Sequence, residues 1–308
     1  MFRYSLLAVS ALAMSACSAE ITSDTVSKDS AVATPAANAQ SKPSSGPMEK
    51  ITSTDLGNGL HMLNGPGGNV AVSVGEDGVL VIDDKFARFG GQILDIISSL
   101  SDGKIRYVLN THHHGDHSGG NDVLAKTGAV IVAHDNVRNR LASDKADEPG
   151  YWPVLTYSEA ATFHFNGQAV KIVHTPKAHT DGDSVIYFEG ANLLHMGDNY
   201  FNGMFPYVDV KSGGSLQGMI AAQETGLSMI NNGTTVMPGH GPIATYADMR
   251  ESVKILKDIQ NRVQAGIDKG QSVDVMIKAG VLSDYKDLVS FIDEAAMIRA
   301  AHASLTGK

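Results

Sequence analysis

Cysteine is almost absent from this chain, which has one cysteine, Cys17, among 308 residues. No disulfide bond can therefore form within the chain. If the protein works in an oxidising compartment, its stability must come from a packed core.

The chain also lacks an excess of positive charge. It has 24 Lys and Arg residues against 33 Asp and Glu residues, so its formal net charge is −9 at pH 7. Proteins that bind nucleic acids usually present a basic surface to the phosphates. The composition therefore argues against a nucleic-acid partner and favours a small-molecule substrate, while it indicates no oligomeric state.

An apolar run long enough for a membrane-spanning helix is missing from the N-terminus. Residues 1–17, MFRYSLLAVSALAMSAC, have instead the basic start, short apolar middle and small-residue end of an export signal. The end of this segment, Met14–Cys17, is similar to the cleavage box of bacterial lipoproteins. We therefore predict a lipoprotein-type signal peptide with Cys17 as the lipidation site. The protein would be held at the periplasmic face of a bacterial membrane by this N-terminal lipid anchor only. Cleavage after Ala19 by an ordinary signal peptidase, which would release a soluble periplasmic protein, is the alternative.

The rest of the chain divides into a linker and one folded domain. Residues 18–47 are rich in Ser, Ala, Thr and Pro and have few large apolar side chains, so we predict a flexible tether. Residues 48–308 are predicted to form a single domain. Within it, we expect a helix over Gly90–Leu100 and a longer one that begins with a capping box at Thr245 and Asp248.

Metal-ligating residue types are concentrated in residues 109–120, LNTHHHGDHSGG. The segment follows a predicted buried strand, and a helix is expected from about residue 121. In extended backbone the side chains of His112, His114 and Asp116 would share one face, and a bend at the glycines would bring His117 to them. Imidazole nitrogens and a carboxylate oxygen are ligands that zinc takes at catalytic sites.

The pattern His112-x-His114-x-Asp116-His117 resembles the signature motif of the metallo-β-lactamase superfamily of binuclear zinc hydrolases. The resemblance implies an α/β fold, the αββα sandwich, in which two β-sheets are flanked by helices. It also implies that residues 48–308 form a hydrolase domain.

The resemblance implies three further ligands, and the chain offers them in the expected order as His179, Asp198 and His240. His174 is a less favoured alternative to His179. Two Zn²⁺ ions per chain are implied, with Asp198 bridging them. The implied ligands of the first zinc are His112, His114 and His179, and those of the second are Asp116, His117 and His240.

A metal-bridging hydroxide is the nucleophile that the resemblance implies, and Asp116 and Asp198 are the implied catalytic residues. Aromatic residues that follow Asp198 are candidate substrate contacts, with core packing as the alternative for each of them. These are Tyr200, Phe205 and Tyr207. Asp181 and Asp183 are candidate hydrogen-bond partners of the ligating imidazoles, or turn residues around Gly182.

Three functions are consistent with these patterns. Hydrolysis of a β-lactam-type amide is favoured by the predicted export and by the similarity of residues 109–128 to the lactamase motif. Asp198 and the lack of a cysteine ligand favour the alternative, a lactonase, esterase or thioesterase similar to glyoxalase II. A non-catalytic metal-binding module of the envelope is the third possibility, and seven candidate ligands argue against it.

Overall fold

The computed structural model describes residues 49–307. The predicted signal peptide, its Cys17 and the tether lie outside these residues, so export, lipidation and the domain boundaries stay predictions. Among the described helices, none is both long enough and apolar enough to cross a membrane.

The first sheet has seven strands in the order of the chain. Its strands are β1 (Thr52–Gly57), β2 (Leu60–Asn64), β3 (Val70–Gly75), β4 (Gly78–Ile82), β5 (Ile105–Leu109), β6 (Val130–His134) and β7 (Leu155–Tyr157). Neighbours are antiparallel from β1 to β4 and parallel from β4 to β7. Helices link the parallel strands, namely α1 (Gly90–Leu100), α2 (Gly115–Ser118), α3 (Asn121–Ala125) and α4 (Asp135–Asp144).

The second sheet has six strands in the order β13-β12-β11-β10-β9-β8. They are β8 (Ala160–Phe165), β9 (Gln168–His174), β10 (Ser184–Phe188), β11 (Leu193–His195), β12 (Thr235–Met237) and β13 (Ala244–Thr245). Only β11 and β12 are parallel to each other. The remaining helices are α5 (Leu216–Met229), α6 (Tyr246–Asp268), α7 (Val273–Lys278) and α8 (Glu294–Thr306).

Three apolar clusters hold the two sheets and the helices on their faces together. Side chains of both sheets, such as Ile82 and Phe188, form one buried cluster between the sheets. The outer face of the first sheet packs on α1 through Ile93, and that of the second sheet packs on α6 through Met249. The predicted sandwich of two sheets flanked by helices is therefore confirmed.

Local sequence signals placed two helices correctly. Helix α1 has the predicted bounds, Gly90–Leu100. The capping box at the start of α6 is present, since Asp248 N donates to Thr245 Oγ1 and Thr245 N donates to Asp248 Oδ2. Each bond satisfies a backbone N–H at the helix end, where the helix itself offers no partner.

Parallel pairing brings strand ends together at one edge of each sheet. Ile82 at the end of β4 pairs with Leu109 at the end of β5, and His195 at the end of β11 pairs with Met237 at the end of β12. The segment that follows β5 is joined across the sandwich to the start of β10, since Ser184 N donates to Thr111 O at 3.0 Å. The predicted ligands after β5, β11 and β12 thus meet at one place.

Candidate metal centre

Three imidazoles form the first half of the centre. His114 Nδ1 lies 3.1 Å from His112 Nε2 and 2.8 Å from His179 Nε2. Asp198 Oδ2 lies 3.7 Å from His112 Nε2 and 3.5 Å from His179 Nε2. We call His112, His114 and His179 the first group.

A carboxylate and two imidazoles form the second half. His240 Nε2 lies 3.3 Å from His117 Nε2 and 3.3 Å from Asp116 Oδ2. Asp198 Oδ1 lies 3.0 Å from His117 Nε2 and 3.4 Å from His240 Nε2. We call Asp116, His117 and His240 the second group. Asp198 therefore presents one oxygen to each group.

The donor set of the first group fits a metal ion. His179 Nδ1 lies 2.8 Å from the carbonyl oxygen of Tyr207, which can only accept, so the ring proton is at Nδ1 and Nε2 carries a lone pair. His114 Nε2 lies 2.9 Å from Asp209 Oδ2, so in the neutral form of this ring the proton is on Nε2 and Nδ1 carries a lone pair. Two lone pairs then face each other at 2.8 Å, an arrangement that a cation between them would stabilise.

Burial keeps two rings of the first group, those of His112 and His179, neutral. It lowers the pKa of His112 well below its ordinary value and the pKa of His179 to about 4. A neutral imidazole is the form that binds a metal. These two rings are therefore ready to act as ligands at pH 7.

The second group is more polar. Burial by itself would raise the pKa of Asp116, yet His117 and a hydrogen bond from His240 lower it to about 2. Burial by itself would lower the pKa of His240, yet Asp198 and Asp116 raise it to about 9. The side chains of Asp116 and His240 are 24% and 19% exposed, so this half of the centre is open to solvent.

One backbone expectation is wrong. The extended segment predicted through residue 116 ends at His114, and α2 begins at Gly115, because the His114 carbonyl accepts from the amides of His117 and Ser118. His112 and His114 share a site as expected, whereas Asp116 is turned by the helix into the second group.

Three contacts that orient the imidazoles were not foreseen in the sequence. Asp83, at φ +61° after β4, accepts from His117 Nδ1 at 2.7 Å, from Thr111 N at 2.7 Å and from Thr111 Oγ1 at 2.8 Å. The other two are the contacts of Asp209 with His114 and of the Tyr207 carbonyl with His179. A hydrogen bond to the second ring nitrogen fixes a ligand's tautomer and orientation.

The two aspartates proposed for that role are turn residues. Asp181 pairs with Arg140 through two contacts of 2.8 Å, and Asp183 accepts from Thr180 Oγ1 at 2.8 Å. His174, the less favoured alternative ligand, stacks on His134 with ring centroids 3.7 Å apart, outside both groups.

The predicted substrate contacts differ in their surroundings. Tyr200 and Phe205 are 1% and 0% exposed and belong to the apolar core, which favours the packing alternative for both. Tyr207 is half-buried, and its ring centroid lies 5.9 Å from that of His114 and 5.7 Å from that of His179. Substrate contact therefore stays a prediction for Tyr207.

Close backbone approach explains two glycines at the centre. A Cβ atom at Gly68 would lie 2.1 Å from the His117 ring, and one at Gly239 would lie 2.0 Å from Asp198 Oδ1.

The loop that contains Gly68 is held by the fully buried Lys85, whose Nζ donates to the carbonyl oxygens of Gly65 and Gly68. Burial lowers the pKa of this lysine to about 8.

Curated relatives match the chain over part of their length. A hydroxyacylglutathione hydrolase of Methylococcus capsulatus is 34% identical over 99 residues, which are 32% of this chain and 35% of the relative. One of Nitrosococcus oceani is 29% identical over 139 residues, 44% of this chain and 49% of the relative. The matches thus span about a third to a half of these relatives.

Solved structures share the fold. A metallo-beta-lactamase from Pontibacter korlensis superimposes with a TM-score of 0.61 at 16% identity, over 68% of this chain and 100% of that one. A sec-alkylsulfatase from Pseudomonas sp. superimposes with a TM-score of 0.65 at 16% identity, over 83% of this chain and 50% of that one. The model of the metallo-beta-lactamase superfamily matches residues 64–240, which contain both groups and Asp198. The chain belongs to the metallo-beta-lactamase superfamily.

Proposed function

We propose that this chain is a metal-dependent hydrolase that cleaves a thioester, or a related ester or lactone, with two zinc ions per chain. The observation that carries the proposal is the position of Asp198, which divides its two oxygens between two separate groups of ligand atoms. A closed structural zinc site has four protein ligands around one metal, whereas these seven side chains suit an open pair.

Two zinc ions, when bound, supply a water whose pKa is lowered towards neutrality and a Lewis acid that polarises the scissile carbonyl. Asp116 is ionised at neutral pH and partly exposed, so it can accept a hydrogen bond from the attacking water and orient it. Asp83 and Asp209 hold the rings of His117 and His114 in place. Because these rings are held in place before the substrate binds, the site needs less reorganisation during the reaction.

In the proposed reaction, an oxygen–carbon bond forms between water and the carbonyl carbon, and the carbon–sulfur bond breaks. The products are a carboxylate, a thiol and a proton that passes to solvent. The names of the curated relatives support a thioester, since they are hydroxyacylglutathione hydrolases. The solved lactamase structures are 15% or 16% identical to this chain. This likeness supports a shared fold and does not support a shared substrate.

Steady-state kinetics on the zinc-loaded full chain would test this proposal. The panel would contain a hydroxyacylglutathione, a simple acyl thioester, a lactone and a chromogenic cephalosporin. We expect kcat/KM for at least one thioester to exceed that for the cephalosporin by about 100-fold, a ratio typical of substrate discrimination in enzymes. Asp181→Asn, which removes a carboxylate that faces no ligand ring, is the matched control and should keep this activity.

Two outcomes would contradict the proposal. Turnover of the cephalosporin without turnover of any thioester or lactone would favour β-lactam hydrolysis. No turnover of any compound by a protein that binds two zinc ions would favour a metal-binding module.

A further inference from the structure

An exposed phenylalanine lies on a segment that is anchored on both sides. Phe291 is 60% exposed and connects the 3-10 turn Ser283–Leu288 to α8. Its flanking residues Leu288 and Ile292 pack on the core of the helices, and Leu288 O accepts from Phe205 N at 2.7 Å. A single exposed apolar side chain is common on protein surfaces, so it is the position of Phe291, beside the metal centre, that indicates a binding role.

This side chain lies at the metal centre. The ring centroid of Phe291 is 6.0 Å from that of His240 and 5.9 Å from that of Phe201. Phe201 is buried and stacks on His240 with a centroid distance of 5.2 Å and an angle of 12°. The rings of His240, Phe201 and Phe291 therefore form one aromatic surface that reaches from the metal centre into solvent. We call Phe201 and Phe291 the aromatic wall.

The wall stands on the open side of the centre. His240, which contacts both phenylalanines, is 19% exposed. In the first group His114 is 16% exposed, whereas His112 and His179 are fully buried. Phe291 is therefore an exposed apolar side chain beside a partly exposed ring of the centre. The segment also lies outside residues 64–240, the part that matches the superfamily model, so it is a feature of this chain beyond the matched region.

We propose that Phe291 binds an apolar group of the substrate next to the scissile carbonyl, so that the enzyme prefers thioesters with aliphatic or aromatic acyl groups. This inference rests on the proposed function. Contact between such a group and the exposed ring removes apolar surface of both from water, and the gain increases with the length of the group. Short or strongly polar acyl groups gain little from the contact.

A series of acetyl, butyryl and hexanoyl thioesters of one thiol would test the proposal on the zinc-loaded full chain. We expect kcat/KM of the wild type to increase along the series. In Phe291→Ala this increase should disappear, with a loss of roughly tenfold on the hexanoyl compound and less than about twofold on the acetyl compound, mainly through KM. Phe291→Leu should restore most of the preference. The control is Val275→Ala, because Val275 is an exposed apolar residue on α7, 48% exposed, and this variant should behave as the wild type.

Binding of an ethyl and a hexyl thioether analogue, measured by calorimetry, provides a readout that needs no turnover. Wild type should bind the hexyl analogue more tightly, and Phe291→Ala should bind both alike. A wild type without chain-length preference in rate or binding would overturn the inference, as would an equal loss on all thioesters in Phe291→Ala. If the wild type cleaves no thioester, the proposed function fails, and the thioether affinities still decide whether Phe291 binds an apolar group.

Discussion

The two halves of the metal centre differ in exposure and in charge. In the first group, the side chains of His112 and His179 are fully buried and that of His114 is 16% exposed. In the second group, Asp116 and His240 are 24% and 19% exposed, and only His117 is fully buried. The first group consists of imidazoles alone, whereas the second group contains a carboxylate.

The difference indicates a division of roles between the halves. The buried, neutral rings of His112 and His179 are suited to hold a metal tightly. An open group with a carboxylate is suited to meet the substrate and the attacking water, and the aromatic wall of Phe201 and Phe291 stands beside it. We therefore expect the first group to bind its zinc more tightly than the second.

The largest effect should follow from removing the residue that joins the halves. In Asp198→Asn, the side chain has one carboxamide oxygen and no charge, so it cannot serve both groups as a carboxylate does. We expect zinc to fall from about two per chain to one or less, and kcat to fall by about 10³-fold, since a metal contributes several kcal/mol to catalysis. Elemental analysis and steady-state kinetics measure both quantities. Two bound zinc ions and near-normal kcat in this variant would show that Asp198 is no bridge.

A smaller effect should distinguish the halves from each other. His179→Ala removes a ligand from the buried group, and His240→Ala removes one from the open group. We expect His240→Ala to keep one tightly bound zinc, because the first group is intact, and His179→Ala to lose that tight site. Titration with a chromophoric chelator measures the affinity of each site. Equal affinities in the two variants would contradict the assigned difference between the groups.

The sequence predicted which candidate ligands come together because their signal is local or ordered along the chain. Residues 112–117 carry four candidate ligands within six positions, and His179, Asp198 and His240 each follow a strand. The partners of the rings carry no such signal. Asp83 is 34 residues from His117, and Asp209 is 95 residues from His114, so only the folded chain brings them together.

Irregular segments were the other limit of sequence reasoning. Tyr200, Phe205 and Tyr207 lie in one loop with no repeating pattern, so their spacing does not show which side chain is buried. Phe291 lies in a segment without a motif and joins the centre only through the packing of Leu288 and Ile292. The two adjacent aspartates after the apolar strand β4, Asp83 and Asp84, were the one visible signal that was missed.

The smallest of the three effects concerns the support of the first group. Asp209→Ala removes the acceptor of His114 Nε2, so the ring loses the contact that fixes its tautomer and increases its basicity. We expect zinc affinity of the first group to decrease by about 10- to 100-fold, with kcat at saturating zinc changed much less. Asp209→Asn keeps an acceptor oxygen without the charge and should lie between Ala and wild type. Asp181→Ala removes a carboxylate near His179 that faces no ring, and it should leave the affinity unchanged. Asp209 also accepts from Ser212 N, so an unchanged affinity in Asp209→Ala would mean that its role is to cap that turn and not to hold the ligand.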